Sequence, residues 1–181
     1  TWLLSGPNAG QYTSQSRTIE FSSVESIAGD SGTNTLSYSG QTGVVAVTLT
    51  GIGTLHGFTG TGTFLTNGFD NIDVVIGGSN SADRLTGAAL DAVWALSGIP
   101  VYSAGGRTLN ITAFEMLVGG SVSDTFTLIG SNTFAGTIDG GTGTGVDTLD
   151  YSAFTSSVSV TLTTNGLVQG MAGTATGITN F

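Results

Sequence analysis

A chain of 181 residues with 39% hydrophobic content can bury one continuous core, but only 8% of its residues are charged against roughly 25% in an average soluble protein, so Ser, Thr and Asn supply its polarity. Twelve acids, three arginines and no lysine leave a net charge of -9, which excludes a nucleic-acid partner, since phosphate binding needs clustered Lys and Arg. The lack of cysteine excludes disulfides and thiolate metal sites, and the best apolar run, Val44 to Val47, is far short of the ~20 residues that insert into a membrane.

In chain order the predicted elements are short strands parted by glycine turns. A Trp-x-Leu-Ser-Gly string at Trp2 to Gly6 is followed by Arg17 to Phe21 and by Val24-Glu25, and a turn from Gly29 leads into the alternating Thr35-Leu36-Ser37-Tyr38. Val45 to Leu49 alternates likewise, His56 sits in a Gly53 to Gly57 loop, and Asn67-Gly68 precedes Phe69 to Asp73, Val75 to Gly78 and Asp83-Arg84-Leu85. Ala88 to Leu96 is a weak helical candidate that runs into Gly98 and Pro100. Beyond it come a second Trp-x-Leu-Ser-Gly at Trp94, then Arg107 to Ile111, Phe114-Glu115, Asp124 to Leu128, Thr148 to Tyr151 and Val158 to Leu162. Period-two alternation of β-branched and aromatic residues makes these half-buried strands and the chain all-β.

Self-similarity organises the strands. Arg17 to Gly29 and Thr35-Leu36 match Arg107 to Gly119 and Thr125-Phe126 at a constant offset of 90 residues. A shorter copy runs from Phe69, and another starts at Ile178 to Phe181, so the chain reads as one continuous unit, 1–181, with internal repeats near 1–93 and 94–181, excised from a longer array. The turns at Gly29, Gly77, Gly119 and Gly140 stand 48, 42 and 21 residues apart, close to multiples of one coil length. The expected fold is therefore a parallel β-solenoid (β-helix) of about seven or eight coils of roughly 21 to 24 residues, with Leu36, Leu85, Phe126 and Leu149 stacked in one interior row.

Gly119-Gly120-Ser121-Val122-Ser123-Asp124-Thr125-Phe126 and Gly140 to Leu149 resemble the Gly-Gly-x-Gly-x-Asp-x-U nonapeptide of RTX (haemolysin-type) secreted proteins, with Val122 in place of a glycine and Gly145-Val146 inserted. The Phe-x-x-Val-Glu, Gly-Gly-x-x-x-Asp-Thr and Asp-Tyr-Ser strings are similar to repeats of giant bacterial extracellular and filamentous adhesin-like proteins. The RTX resemblance implies Ca²⁺ bound between neighbouring turns, and here only Asp124 and Asp147 fall on adjacent turns. Without metal, the same glycines and aspartates close Asx turns.

His56, the lone histidine, reads as a loop residue, because no Gly-x-Ser-x-Gly elbow accompanies it. Asp139 with Asp147 or Asp150 is the carboxylate pair a carbohydrate-active β-helix would use, yet these acids hold repeated positions, where a catalytic centre would break the pattern. Glu25, Asp73 and Glu115 read as solvated turn residues, Trp2 and Trp94 as packing residues. Altogether the residues point to a non-catalytic, extracellular or cell-surface spacer in an adhesin stalk or filament, partnered by flanking repeats or further copies of itself end to end, with a Ca²⁺-stabilised module folding after export as the alternative.

Overall fold

The computed structural model describes residues 1–131, 134–157 and 175–176. The expected strand at Val158 to Leu162, the Asn165-Gly166 turn and the motif at Ile178 to Phe181 lie outside the described residues. β1 (Trp2–Gly6), β2 (Ala9–Ser14) and β3 (Arg17–Phe21) form an antiparallel meander, followed by β4 (Ser26–Ala28) and β5 (Thr35–Ser37). β6 (Ala46–Ile52), β7 (Phe58–Gly62) and β8 (Leu65–Ile72) make a second meander, and β9 (Val74–Ile76) and β10 (Arg84–Thr86) lead to a third of β11 (Ala92–Leu96), β12 (Val101–Ala104) and β13 (Arg107–Thr112). β14 (Met116–Val118), β15 (Asp124–Leu128), β16 (Thr137–Asp139), β17 (Thr148–Asp150) and β18 (Ala175–Thr176) complete the described strands.

Two sheets result. The larger has ten strands in the order β17-β15-β11-β12-β13-β9-β5-β1-β2-β3, the smaller eight in the order β18-β16-β14-β10-β6-β7-β8-β4. After each meander or single strand the chain crosses to the other sheet. Each strand has one apolar face, so neither sheet is stable alone, and the inward side chains of both merge into one cluster that includes Leu36, Phe58, Leu85, Trp94, Leu117 and Phe126. Ala88 to Leu96 forms no helix. β11 instead buries Ala92, Trp94 and Leu96 and exposes Val93, the period of a strand.

All-β character stands, but the parallel β-solenoid of 21 to 24-residue coils does not. Both sheets are mixed, because three antiparallel meanders interrupt the parallel pairs. Parallel register advances by 34, 39 and 36 residues from Trp2 through Leu36 and Val75 to Ile111, but by 32 and 23 from Trp94 through Phe126 to Leu149. Local chain reversal is the physical reason. Gly105 and Gly106 both take positive φ (55° and 74°), and so do Gln15 and Ser16 (48° and 62°), the two-residue conformation that folds a strand back on its neighbour. The expected interior row divides accordingly. Phe126 and Leu149 are parallel partners, Leu36 lies between Trp2 and Val75 farther along the same sheet, and Leu85 belongs to the smaller sheet between Val47 and Leu117.

The 90-residue duplication survives as geometry. Trp2, Tyr12 and Ile19 stand opposite one another across the first meander, and Trp94, Tyr102 and Leu109 do so across the third. Phe126→Ala should lower unfolding free energy by about 3–5 kcal/mol in urea melts, and Val93→Ala, one residue from buried Trp94, by under about 1 kcal/mol. Similar losses for both would contradict a strand with one buried face.

Candidate functional site: buried aspartates at the strand starts

Polar side chains buried inside the molecule are mostly carboxylates and amides next to strand starts, among them Asn34, Asp83, Asp124 and Asp147 after glycine turns and Asp73 between β8 and β9. A buried carboxylate is tolerated only when N–H groups take the place of water. Two of the turns provide them. Asp83 Oδ2 accepts the Gly78 N–H at 2.6 Å, and Asp124 Oδ2 accepts the Gly120 N–H at 2.7 Å. The residue added after Gly77 therefore lengthens the turn without changing its closure. Gly77 and Gly119 are needed for close approach: a Cβ on Gly77 would stand 1.7 Å from the Ala113 carbonyl oxygen, and one on Gly119 2.2 Å from that of Gly140.

The same class of carboxylate also reaches a strand start in another segment. Asp73 Oδ2 accepts the Asn34 N–H and Asp83 Oδ1 the Val45 N–H, both at 2.8 Å, and Asp147 Oδ1 accepts the Asp124 N–H at 2.9 Å. These three N–H groups begin segments entering β5, β6 and β15. Asp73, expected to be a solvated turn residue, is thus buried and structural; Glu25 is exposed as expected, and Glu115 is half-buried with its Oε2 in a cleft beside Ile99, Pro100 and Phe134, without a hydrogen-bond partner among the described residues.

Asp124 is the most elaborated of the group. Its Oδ1 accepts the Trp94 indole N–H at 2.9 Å, and Trp94 is stacked on Phe126 (5.3 Å between centroids, 16° between planes) and edge-on to Tyr102 at 4.6 Å. Burial pushes the Asp124 carboxyl up to about 6, against the lowering effect of the Trp94 and Gly120 N–H groups and with the Asp147 and Asp91 charges adding to the rise. Burial also pushes the Tyr102 hydroxyl up to about 12, while its oxygen accepts the Ala88 N–H at 3.1 Å.

Asp124 and Asp147 are therefore brought together, as their adjacent turns suggested. A calcium shell takes six to eight oxygens. Both Asp124 oxygens and Asp147 Oδ1 already face N–H donors, so an ion seated between them would have to displace those donors. Among the described residues, no three His, Asp or Glu side chains are grouped as metal ligands.

The acids weighed for catalysis close local turns. Asp139 Oδ1 accepts the Gly141 N–H at 3.0 Å, and Asp150 Oδ1 the Ser152 N–H at 2.8 Å, which with the Ser152 and Thr127 hydroxyls holds the Asp150 carboxyl below the usual range. Asp139 lies in the smaller sheet and Asp150 in the larger. His56 Nδ1 pairs with Asp73 Oδ1, a contact absent from the sequence reading. The loop around His56 is fixed by Asn71, whose Oδ1 accepts the Leu55 N–H at 2.8 Å, and by Asp70, whose Oδ2 accepts the Thr54 hydroxyl at 2.6 Å. The chain matches no family model, no curated protein and no solved structure.

Asp147→Ala leaves the buried Asp124 N–H without this acceptor and should cost about 1–3 kcal/mol of stability, equally in Ca²⁺ and in chelator. A loss confined to Ca²⁺-containing buffer would show that the pair ligates the ion. For Asp124, folding raises the pKa from about 4 to about 6, so the folded state binds this proton more tightly. Its contribution is complete below pH 4 and is lost as pH rises to about 6. Urea melts across that window should show a falling component in the wild type that Asp124→Asn lacks; parallel curves would contradict the assignment.

Proposed function

We propose that the chain is a non-catalytic structural module, a spacer in a large secreted or cell-surface protein such as an adhesin stalk or extracellular filament. The observation that supports this most is duplication without specialisation: Trp2, Tyr12 and Ile19 and then Trp94, Tyr102 and Leu109 stand in the same cross-strand register, and Asp83, Asp124 and Asp147 close turns or start strands. Catalysis asks for a singular arrangement of groups, and a spacer asks for a unit that can be repeated. A Ca²⁺-stabilised module that folds after export is the second reading, favoured by the adjacency of Asp124 and Asp147.

A spacer should lengthen when its unit is added. From β3 to β13 the larger sheet advances five strand positions, roughly 24 Å at the usual separation of hydrogen-bonded strands. A tandem chain running 1–106 and then 17–181 should therefore show a maximum dimension in X-ray scattering about 24 Å longer than the original, with a single cooperative melt. A swollen or unchanged particle would contradict the proposal. Antibody labelling of intact cells that make the parent protein tests its surface location.

A further inference from the structure

One backbone conformation recurs at the three repeated acids. Ser23, Asn71 and Ala113, each two residues before Glu25, Asp73 or Glu115, all take positive φ (57°, 59° and 55°), and a short strand, β4, β9 or β14, follows each acid. What the acid meets differs. Glu25 is exposed to water, whereas Asp73 is buried, with Oδ2 on the Asn34 N–H and Oδ1 on the His56 ring. The loop that carries His56 is held there by the Asn71 side chain, whose Oδ1 accepts the Leu55 and His56 N–H groups at 2.8 and 3.2 Å.

Ala113 has no side-chain oxygen to hold such a loop, and a cleft of about 260 Å³ opens beside it. Ile99 and Pro100, from the turn between β11 and β12, line the cleft with Phe114 and Phe134, and Glu115 is the only charged residue among its described lining. Ile99 is 60% exposed, so an apolar wall faces the solvent. Glu115 Oε2 is closed off from water and has no hydrogen-bond partner among the described residues. Arg84 stands opposite the next residue, Met116, in the smaller sheet, yet makes no ion pair with Glu115. A carboxylate oxygen in that position opposes folding until a donor reaches it.

We propose that this cleft is a binding site for an alkylguanidinium, either free or as the arginine side chain of a peptide, with Glu115 as its counter-ion. A donor from outside the chain then does for Glu115 what His56 does for Asp73. Glu115 meets it by turning the carboxyl about its last torsion, which is soft. A guanidinium is planar, so it lies against a phenylalanine ring while its paired N–H groups face a carboxylate, and it is more weakly hydrated than an ammonium, so entry into an apolar cleft costs less. Its aliphatic stem packs on Ile99 and Pro100. The volume suits one side chain, below the range of drug-sized pockets, and the net charge of -9 draws cations to the surface. A calcium ion does not fit, because one carboxylate supplies at most two of the six or more oxygens it needs.

Titration of the full chain with butylguanidinium, followed by amide NMR shifts, tests this. The Thr112, Phe114, Glu115 and Ala135 amides should shift together and saturate. Butanol, which has the stem without the charge, should bind roughly tenfold more weakly or worse, the worth of one charged hydrogen bond. Glu115→Gln keeps the shape of the side chain and should lose a similar factor, while Glu25→Gln, at the exposed copy of the position, should bind as wild type does. A blocked Gly-Arg-Gly peptide run in parallel separates the two sources: tighter binding of the peptide assigns the cleft to a protein side chain, and tighter binding of butylguanidinium assigns it to a small molecule. Shifts that do not saturate, that centre on Glu25 or other exposed acids, or that butanol reproduces at equal concentration would overturn the site, and so would a folded Glu115→Gln that binds as wild type does. Should that variant not fold, the wild-type shift map and the butanol comparison decide.

Discussion

At three of the places where the chain leaves one sheet for the other, it presents a backbone N–H that no strand ladder accepts, and a buried aspartate supplies the acceptor. The bonds from Asn34, Val45 and Asp124 to the carboxylates of Asp73, Asp83 and Asp147 all serve this purpose, and each joins segments distant in sequence. An unpaired N–H in that position would oppose the burial of the strand that follows, so the carboxylates are a condition of the two-sheet core as much as an addition to it. The glycines belong to the same constraint, since Gly77 and Gly119 let the backbones approach closely enough for the short carboxylate bonds to form.

The strand character, the 90-residue duplication and the meeting of Asp124 with Asp147 were legible in the residues, because alternation, identity at constant offset and turn composition are local signals. The reversals were not. Gln15-Ser16 takes the left-handed hairpin conformation without a glycine or asparagine to mark it, and its glycine counterpart, Gly105-Gly106, looks the same as any glycine turn between coils. The crossing between sheets left no mark either, because a half-buried strand has the same period in whichever sheet it lies. Asp73 looked solvated because an acid after an apolar residue is normally at the surface; its burial depends on Asn34 and His56, neither of which is near it in sequence.

The two equivalent meanders separate what a unit needs for itself from what it takes from its neighbours. Leu4 and Leu96 are buried in both, so the inner end of each meander is completed within the unit, while the outer tyrosine and Ile19 or Leu109 are covered only where another meander crosses them. Division of this kind suits a chain whose stability accumulates by nearest-neighbour contact and whose polar residues are committed to holding it together.

Amide hydrogen exchange at the three strand starts tests the central role of the carboxylates most directly. The Asn34, Val45 and Asp124 amides should be protected as strongly as the ladder amide of Leu85, although no strand partner accepts them. Exchange as fast as that of the exposed turn amide of Ser31 would contradict the account.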